Sequence, residues 1–292
     1  MNRRNIHPRL LDLKYGLEKG DITRRQFLRY VSLLGCSTAA STGLIQVLRP
    51  RKAQAVAYGG KLKVSGILTG IKHPAQAKWL SPSQIFRHIS EYLTFTDVDN
   101  ITRPYLLQNW EADEELLTWT LHLRKGIFFN NADEMTADDV VFSFKQWLDR
   151  DIGSPMAAIL GGYLDPTGIE KVNRYQVRLH LNRPEIAVPE HLFYYPAVIL
   201  NHRTFEGNFL EAPHGTGPFR LETFEEGKRC TLKKRMAYWQ PGLPFLNEIE
   251  FVDLGFNTAK RVKALQAGKI DVADLSGSDE LDAFQKMNSD SH

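Results

Sequence analysis

Apolar and polar positions alternate over Leu117, Trp119, Leu121 and Leu123, with Thr118, Thr120 and His122 between them. That is the period of a half-buried strand, ending at Arg124-Lys125-Gly126. Tyr175, Val177, Leu179 and Leu181 repeat the pattern, residues 61–68 and 246–254 read as further strands, and 219–224 with 229–235 read as a hairpin about Glu225-Glu226-Gly227-Lys228. The period changes elsewhere. Ser81-Pro82-Ser83-Gln84 has capping-box spacing, and Ile85, Phe86, Ile89, Tyr92 and Leu93 follow at helical intervals, predicting a helix from near residue 82 with one buried stripe. Thr136 is a natural N-cap for a helix over 137–149. Its first turn holds Asp138 and Asp139, and Ala137, Val140, Val141, Phe144, Trp147 and Leu148 form one face. A last helix over 258–267 stops at Gly268. Strands interspersed with helices make this a mixed α/β protein without internal repeats.

Composition adds little until the charge is located. The chain has 292 residues and a net charge of +3. Residues 1–57 hold 11 Lys+Arg against 3 Asp+Glu, so a segment at +8 precedes a body at −5, and a nucleic-acid partner is not expected. The basic segment reads Thr23-Arg24-Arg25-Gln26-Phe27-Leu28-Arg29, then a polar-diluted apolar run from Tyr30 to Leu48, then Ala53-Gln54-Ala55-Val56-Ala57. Basic head, apolar middle and small-residue end describe an export signal. Thr23, Arg24, Arg25, Phe27 and Leu28 resemble a Tat signal peptide, which implies passage through the Tat translocase and a periplasmic location. A transmembrane anchor would need about 20 predominantly apolar residues. Leu33-Leu34-Gly35-Cys36 loosely resembles a lipoprotein box. With the signal removed only Cys230 remains; it alternates in phase with Leu232 and reads as a buried, inert thiol.

No catalytic constellation assembles. His122 and His180 fall on polar strand faces, His88 flanks an apolar helix face, and Glu190-His191 is a weak metal signal. Gly215-Thr216-Gly217 leads into Pro218-Phe219 and a strand, so it is no phosphate cradle. The helix start accounts for Asp138 and Asp139, and a solvated strand end accounts for Lys233-Lys234-Arg235. No cofactor is expected.

Seven strings in order then carry a resemblance: Glu91-Tyr92-Leu93; Pro104-Tyr105-Leu106-Leu107-Gln108-Asn109-Trp110; Leu117 to Phe129 (LTWTLHLRKGIFF); Met135 to Ser143 (MTADDVVFS); Gly215-Thr216-Gly217-Pro218-Phe219; Met236-Ala237-Tyr238-Trp239; and Ala264 to Asp271 (ALQAGKID). Together they resemble the family 5 extracellular solute-binding proteins, the oligopeptide, dipeptide and nickel-type receptors of ABC importers. One departure is Asn130-Asn131-Ala132, where the family places His-Asp-Gly; losing the glycine puts that turn in question.

The resemblance implies a periplasmic-binding-protein-like, two-lobed α/β clamp of the class II type, with the second lobe largely missing. It divides the chain into a signal at 1–57, a first lobe at 58–255 (core 58–80 and 210–255, inserted subdomain 81–209) and the start of a second lobe at 256–292. It implies a small solute, a peptide foremost, handed to an inner-membrane permease. Ligand contacts are expected from the loop after the first strand, at Thr69 and Gly70, with Tyr92 and Thr216 as further candidates. These residues do not choose among peptide, nickel chelate, opine and sugar. A Tat-exported enzyme with an unrecognised cofactor and a nonfunctional receptor fragment are the alternatives.

Overall fold

The computed structural model describes residues 58–70, 72–78 and 80–273, and Gln26. Arg24, Arg25 and Cys36 lie outside the described residues.

Two four-stranded sheets and a short hairpin carry the fold. The first sheet uses β1 (Lys61–Gly66), β8 (Phe219–Glu225), β9 (Arg229–Lys234) and β10 (Glu248–Asp253) in the order β1-β10-β9-β8. β1 runs parallel to β10, and the other pairs are antiparallel. Alternation buries Cys230, Leu232, Ile249 and Phe251 on one face. Helix α1 (Leu80–Ile89) lies on that face, with the His88 ring against Phe219 and Phe251.

Between β1 and β8 the chain builds the second sheet: β4 (Leu107–Ala112), β5 (Thr118–Leu123), β6 (Ile169–Asn173) and β7 (Gln176–His180), all antiparallel in the order β4-β5-β7-β6. Trp119, Leu121, Leu123, Val177 and Leu179 are buried, as their period requires. Helix α2 (Ala137–Leu148) packs Val140, Phe144 and Trp147 beneath them. Each such side chain contributes roughly 1.5–3 kcal/mol by leaving water. The start of α2 is a capping box: Asp139 accepts from the Thr136 N–H at 2.8 Å, while Asp138 pairs with Lys171 at 2.7 Å. Both carboxylates are therefore structural. A hairpin of β2 (Thr94–Thr96) and β3 (Thr102–Pro104), helix α3 (Pro155–Leu160) and helix α4 (Val188–His191) complete this part, and one continuous core joins the two sheets.

Two features depart from the sequence reading. Helix α1 ends at Ile89, so Tyr92 and Leu93 are buried beyond its end and not on its stripe. Past β10, helix α5 (Thr258–Gln266) is followed by a return to the first sheet. Val272 bridges Val64 in parallel, the Ser65 N–H donates to the Val272 carbonyl at 2.9 Å, and Asp271 Oδ2 accepts from the Lys63 N–H at 2.8 Å.

Candidate functional site

In an open α/β sheet the carboxyl ends of parallel strands form the natural ligand edge. Here those ends belong to β1 and β10. Asp253 closes β10 and ties the two together, its Oδ2 accepting from the Leu68 N–H at 2.7 Å and its Oδ1 from the Gly255 N–H at 2.8 Å. The β8–β9 turn holds the same loop, since the Gly227 N–H donates to the Leu68 carbonyl at 2.8 Å and the Gly70 N–H donates to Glu226 Oε1 at 2.6 Å. Leu68 is buried as the anchor, and Thr69 and Gly70 stand exposed beyond it. A Cβ on Gly70 would lie 2.7 Å from Glu226 Oε2, so the carboxylate packs directly on the backbone there.

The loop is fixed again a few residues on. His73 is buried, with Phe205 edge-on at 4.8 Å. Its Nδ1 accepts from the Ala75 N–H at 3.2 Å, which places the ring proton on Nε2, donating to Gln146 Oε1 at 3.0 Å. Burial holds this imidazole below its ordinary pKa, and it drives that of His88 down to about 4.

The other two candidates are not at this edge. The Tyr92 hydroxyl donates to the Tyr195 carbonyl at 3.2 Å and its ring packs on Phe193; burial pushes the phenol up to about 12. Thr216 is fully buried beside Glu91, and its Oγ1 makes no hydrogen bond of normal geometry. In this conformation the structure brings Thr69 and Gly70 together at an exposed edge and puts Tyr92 and Thr216 in the interior.

Thr216 belongs to a buried polar seam that the sequence reading missed. Glu91, 2% exposed, accepts from the Tyr105 hydroxyl at 2.8 Å, the Tyr238 hydroxyl, and the Trp239 indole at 2.9 Å. Burial outweighs these donors and raises its carboxyl above the ordinary range. Arg124 donates to the Tyr105 carbonyl at 2.7 Å and lies over the Trp239 ring. Arg235 is buried as well, not solvated as the basic run suggested. Its guanidinium donates to the carbonyls of Gly215, Gly217, Phe128 and Phe129 at 3.0–3.3 Å. Gly215 and Gly217 press on the end of α1, where a Cβ would meet the Ile89 carbonyl at 2.0 Å or the His88 carbonyl at 2.7 Å. The one available signal was Glu91 itself, a lone acid among Ile89, Tyr92 and Leu93.

Among the described residues, no group of three or more His, Cys, Asp or Glu is placed to hold a metal, and no helix is long and apolar enough to cross a membrane. His191 Nδ1 is engaged by the Tyr163 hydroxyl at 2.9 Å. Cys230 is fully buried, and burial pushes its thiol up to about 12.

Comparison with known proteins identifies the family. The family described as bacterial extracellular solute-binding proteins, family 5 (middle), matches residues 102–292. Di/tripeptide-binding protein 3 of Pseudomonas aeruginosa is 28% identical over 192 residues, 58% of this chain and 36% of that protein. The dipeptide-binding protein of Escherichia coli is 31% identical over 161 residues, 47% and 30% of the two chains. Among solved structures, Helicobacter pylori DppA in complex with the peptide STSA superposes with a TM-score of 0.65 at 24% identity, covering 74% of this chain and 46% of that one. NikA of Brucella suis in complex with Fe(III)-EDTA gives 0.62 at 24% identity, with 72% and 42% covered. The chain thus spans about a third of the length of these curated relatives and less than half of the solved neighbours. The fold is that of the two-lobed periplasmic binding proteins, and the chain belongs to family 5 of the bacterial extracellular solute-binding proteins, a family of solute receptors and not of enzymes.

Proposed function

We propose that this chain contributes to the solute receptor of an ABC importer, taking a peptide or similar small solute at the Thr69–Gly70 edge and presenting it to an inner-membrane permease. The observation that carries the reading is the position of that loop. It projects from the carboxyl ends of the parallel pair β1 and β10, and Asp253, Gly227 and Glu226 hold it still. A loop fixed before the solute arrives loses little entropy on binding. Closure of a clamp is driven by contacts that exist only when both lobes meet the solute, and this edge supplies one side of them. The di- and tripeptide-binding relatives favour a peptide as the solute.

Export is the second part of the proposal. The basic, apolar and small-residue order of residues 1–57, with Arg24-Arg25 at its head, supports passage through the Tat translocase to the periplasm. Residues 1–60 fused to a reporter should be exported, and Arg24→Lys with Arg25→Lys should stop export; a fusion indifferent to both changes contradicts the route. For the solute, titration of a di- and tripeptide pool into the isotope-labelled chain should move the amides of residues 67–70 and 226–227. A pool that moves no amide contradicts the reading.

A further inference from the structure

At the opposite end of the first sheet, where β8 begins and β9 ends, lies a groove of about 650 Å³, within the size range of small-molecule sites. Its basic wall is Arg220, Lys233, Lys234 and the buried Arg235. Phe128 and Met236 give it an apolar rim, 46% and 97% exposed.

Counter-charge is short there. Glu222 serves both Arg220, at 2.6 Å, and Lys233, at 3.0 Å. Glu248, opposite Lys233 in β10, is held by Lys61 at 2.8 Å, and Lys61 also holds Glu250 at 2.7 Å. Lys234 Nζ donates to the Pro244 carbonyl at 2.8 Å, and Arg235 donates to four carbonyls. Carbonyl oxygens satisfy hydrogen bonds but leave the cationic charge in place. No acidic side chain lines the groove among the described residues.

We propose that this groove binds an anionic amphiphile, its phosphate or carboxylate head against Arg220, Lys233 and Lys234 and a short apolar chain over Phe128 and Met236. Lys234 has two N–H bonds beyond the one given to Pro244, and charge-assisted bonds to an anion are the strong kind. Covering Phe128 and Met236 removes the apolar surface that this end of the sheet leaves in water. The same head chemistry comes from a free alkyl phosphate and from an anionic phospholipid.

The test titrates octyl phosphate and, separately, octyl glucoside into the chain by calorimetry, and floats the chain with phosphatidylglycerol vesicles. Met236→Glu puts a carboxylate at the mouth on a side chain almost wholly in solvent, so its melting curve should match the wild type. Octyl phosphate or the vesicles should bind saturably. Binding should weaken about tenfold in Met236→Glu and in the Lys233→Gln, Lys234→Gln double variant, and it should weaken with salt. Octyl glucoside should not bind. Octyl phosphate binding alone assigns a free anion; vesicle flotation assigns a lipid headgroup where Met236→Glu weakens it, since residues 1–57 bring +8 to an anionic surface in wild type and variant alike. Failure of both anionic probes overturns it, as do octyl glucoside binding equally well and Met236→Glu binding like the wild type.

Discussion

The Thr69–Gly70 loop and the Glu91–Tyr238–Trp239 seam both attach to the first sheet, yet they carry opposite kinds of residue. The loop is exposed and is held by Asp253, Glu226 and Gly227, none of which belongs to a family string. In the seam, Glu91, Tyr105, Gly215, Thr216, Gly217, Tyr238 and Trp239 all come from those strings, with Arg235 immediately before one. The strings that made the chain recognisable therefore record how the scaffold is locked. They include neither Thr69 nor Gly70, and the fold they lock is shared by a peptide-bound and a chelate-bound neighbour.

If that division is right, substitutions in the seam should cost stability and substitutions in the loop should not. Glu91→Ala removes the shared acceptor of three part-buried donors and leaves a cavity, and Arg235→Ala takes a donor from four carbonyls, of which only Gly215 and Phe129 keep a backbone donor from Asn130 and Ala132. Each should lower unfolding free energy by about 3–5 kcal/mol in urea melts; a loss under 1 kcal/mol would break the comparison. Next in size is a pH effect at His88. Its folded pKa of about 4 lies below the unfolded 6.5, so the native state binds fewer protons in between. Stability is then complete above pH 6.5 and falls as pH drops towards 4, by about 3 kcal/mol over that window. His73, lowered in the same direction, adds to the slope. His88→Leu should flatten the curve, and an unchanged slope contradicts the assignment.

Smaller effects sharpen the comparison. Ala132 holds φ +71 in the turn where the family has glycine. Left-handed backbone costs a non-glycine residue about 1–2 kcal/mol, partly offset by the extra unfolded-state freedom of glycine. Ala132→Gly should thus stabilise by up to about 1 kcal/mol, and a loss in the melt would show the turn to be relaxed. Thr69→Ala should change stability by less than about 0.5 kcal/mol while altering peptide titrations.

What the sequence disclosed follows the same line. The central strands β5 and β7 were legible because burial on one face imposes strict alternation. The edge strands β4 and β6 were not: β4 buries only Leu107, so Leu107-Gln108-Asn109-Trp110-Glu111-Ala112 shows no period. Helix α2 could be read from its Thr136 N-cap, acidic first turn and apolar face, whereas α1 was read too long, because Tyr92 and Leu93 keep helical spacing after the backbone has turned away to place Glu91. At the edge, Thr69 and Gly70 were expected as ligand contacts from the resemblance alone. Glu226 and Asp253 reach that loop across more than 150 residues of chain, and no local pattern encodes such a contact.

The measurement that bears most directly on this division is amide shift mapping of the labelled chain with a di- and tripeptide pool, read at both regions together. The account predicts shifts at Leu68, Thr69, Gly70 and Gly227, with Glu91, Tyr105, Tyr238 and Trp239 unmoved. Shifts confined to the seam, with the loop silent, would contradict it.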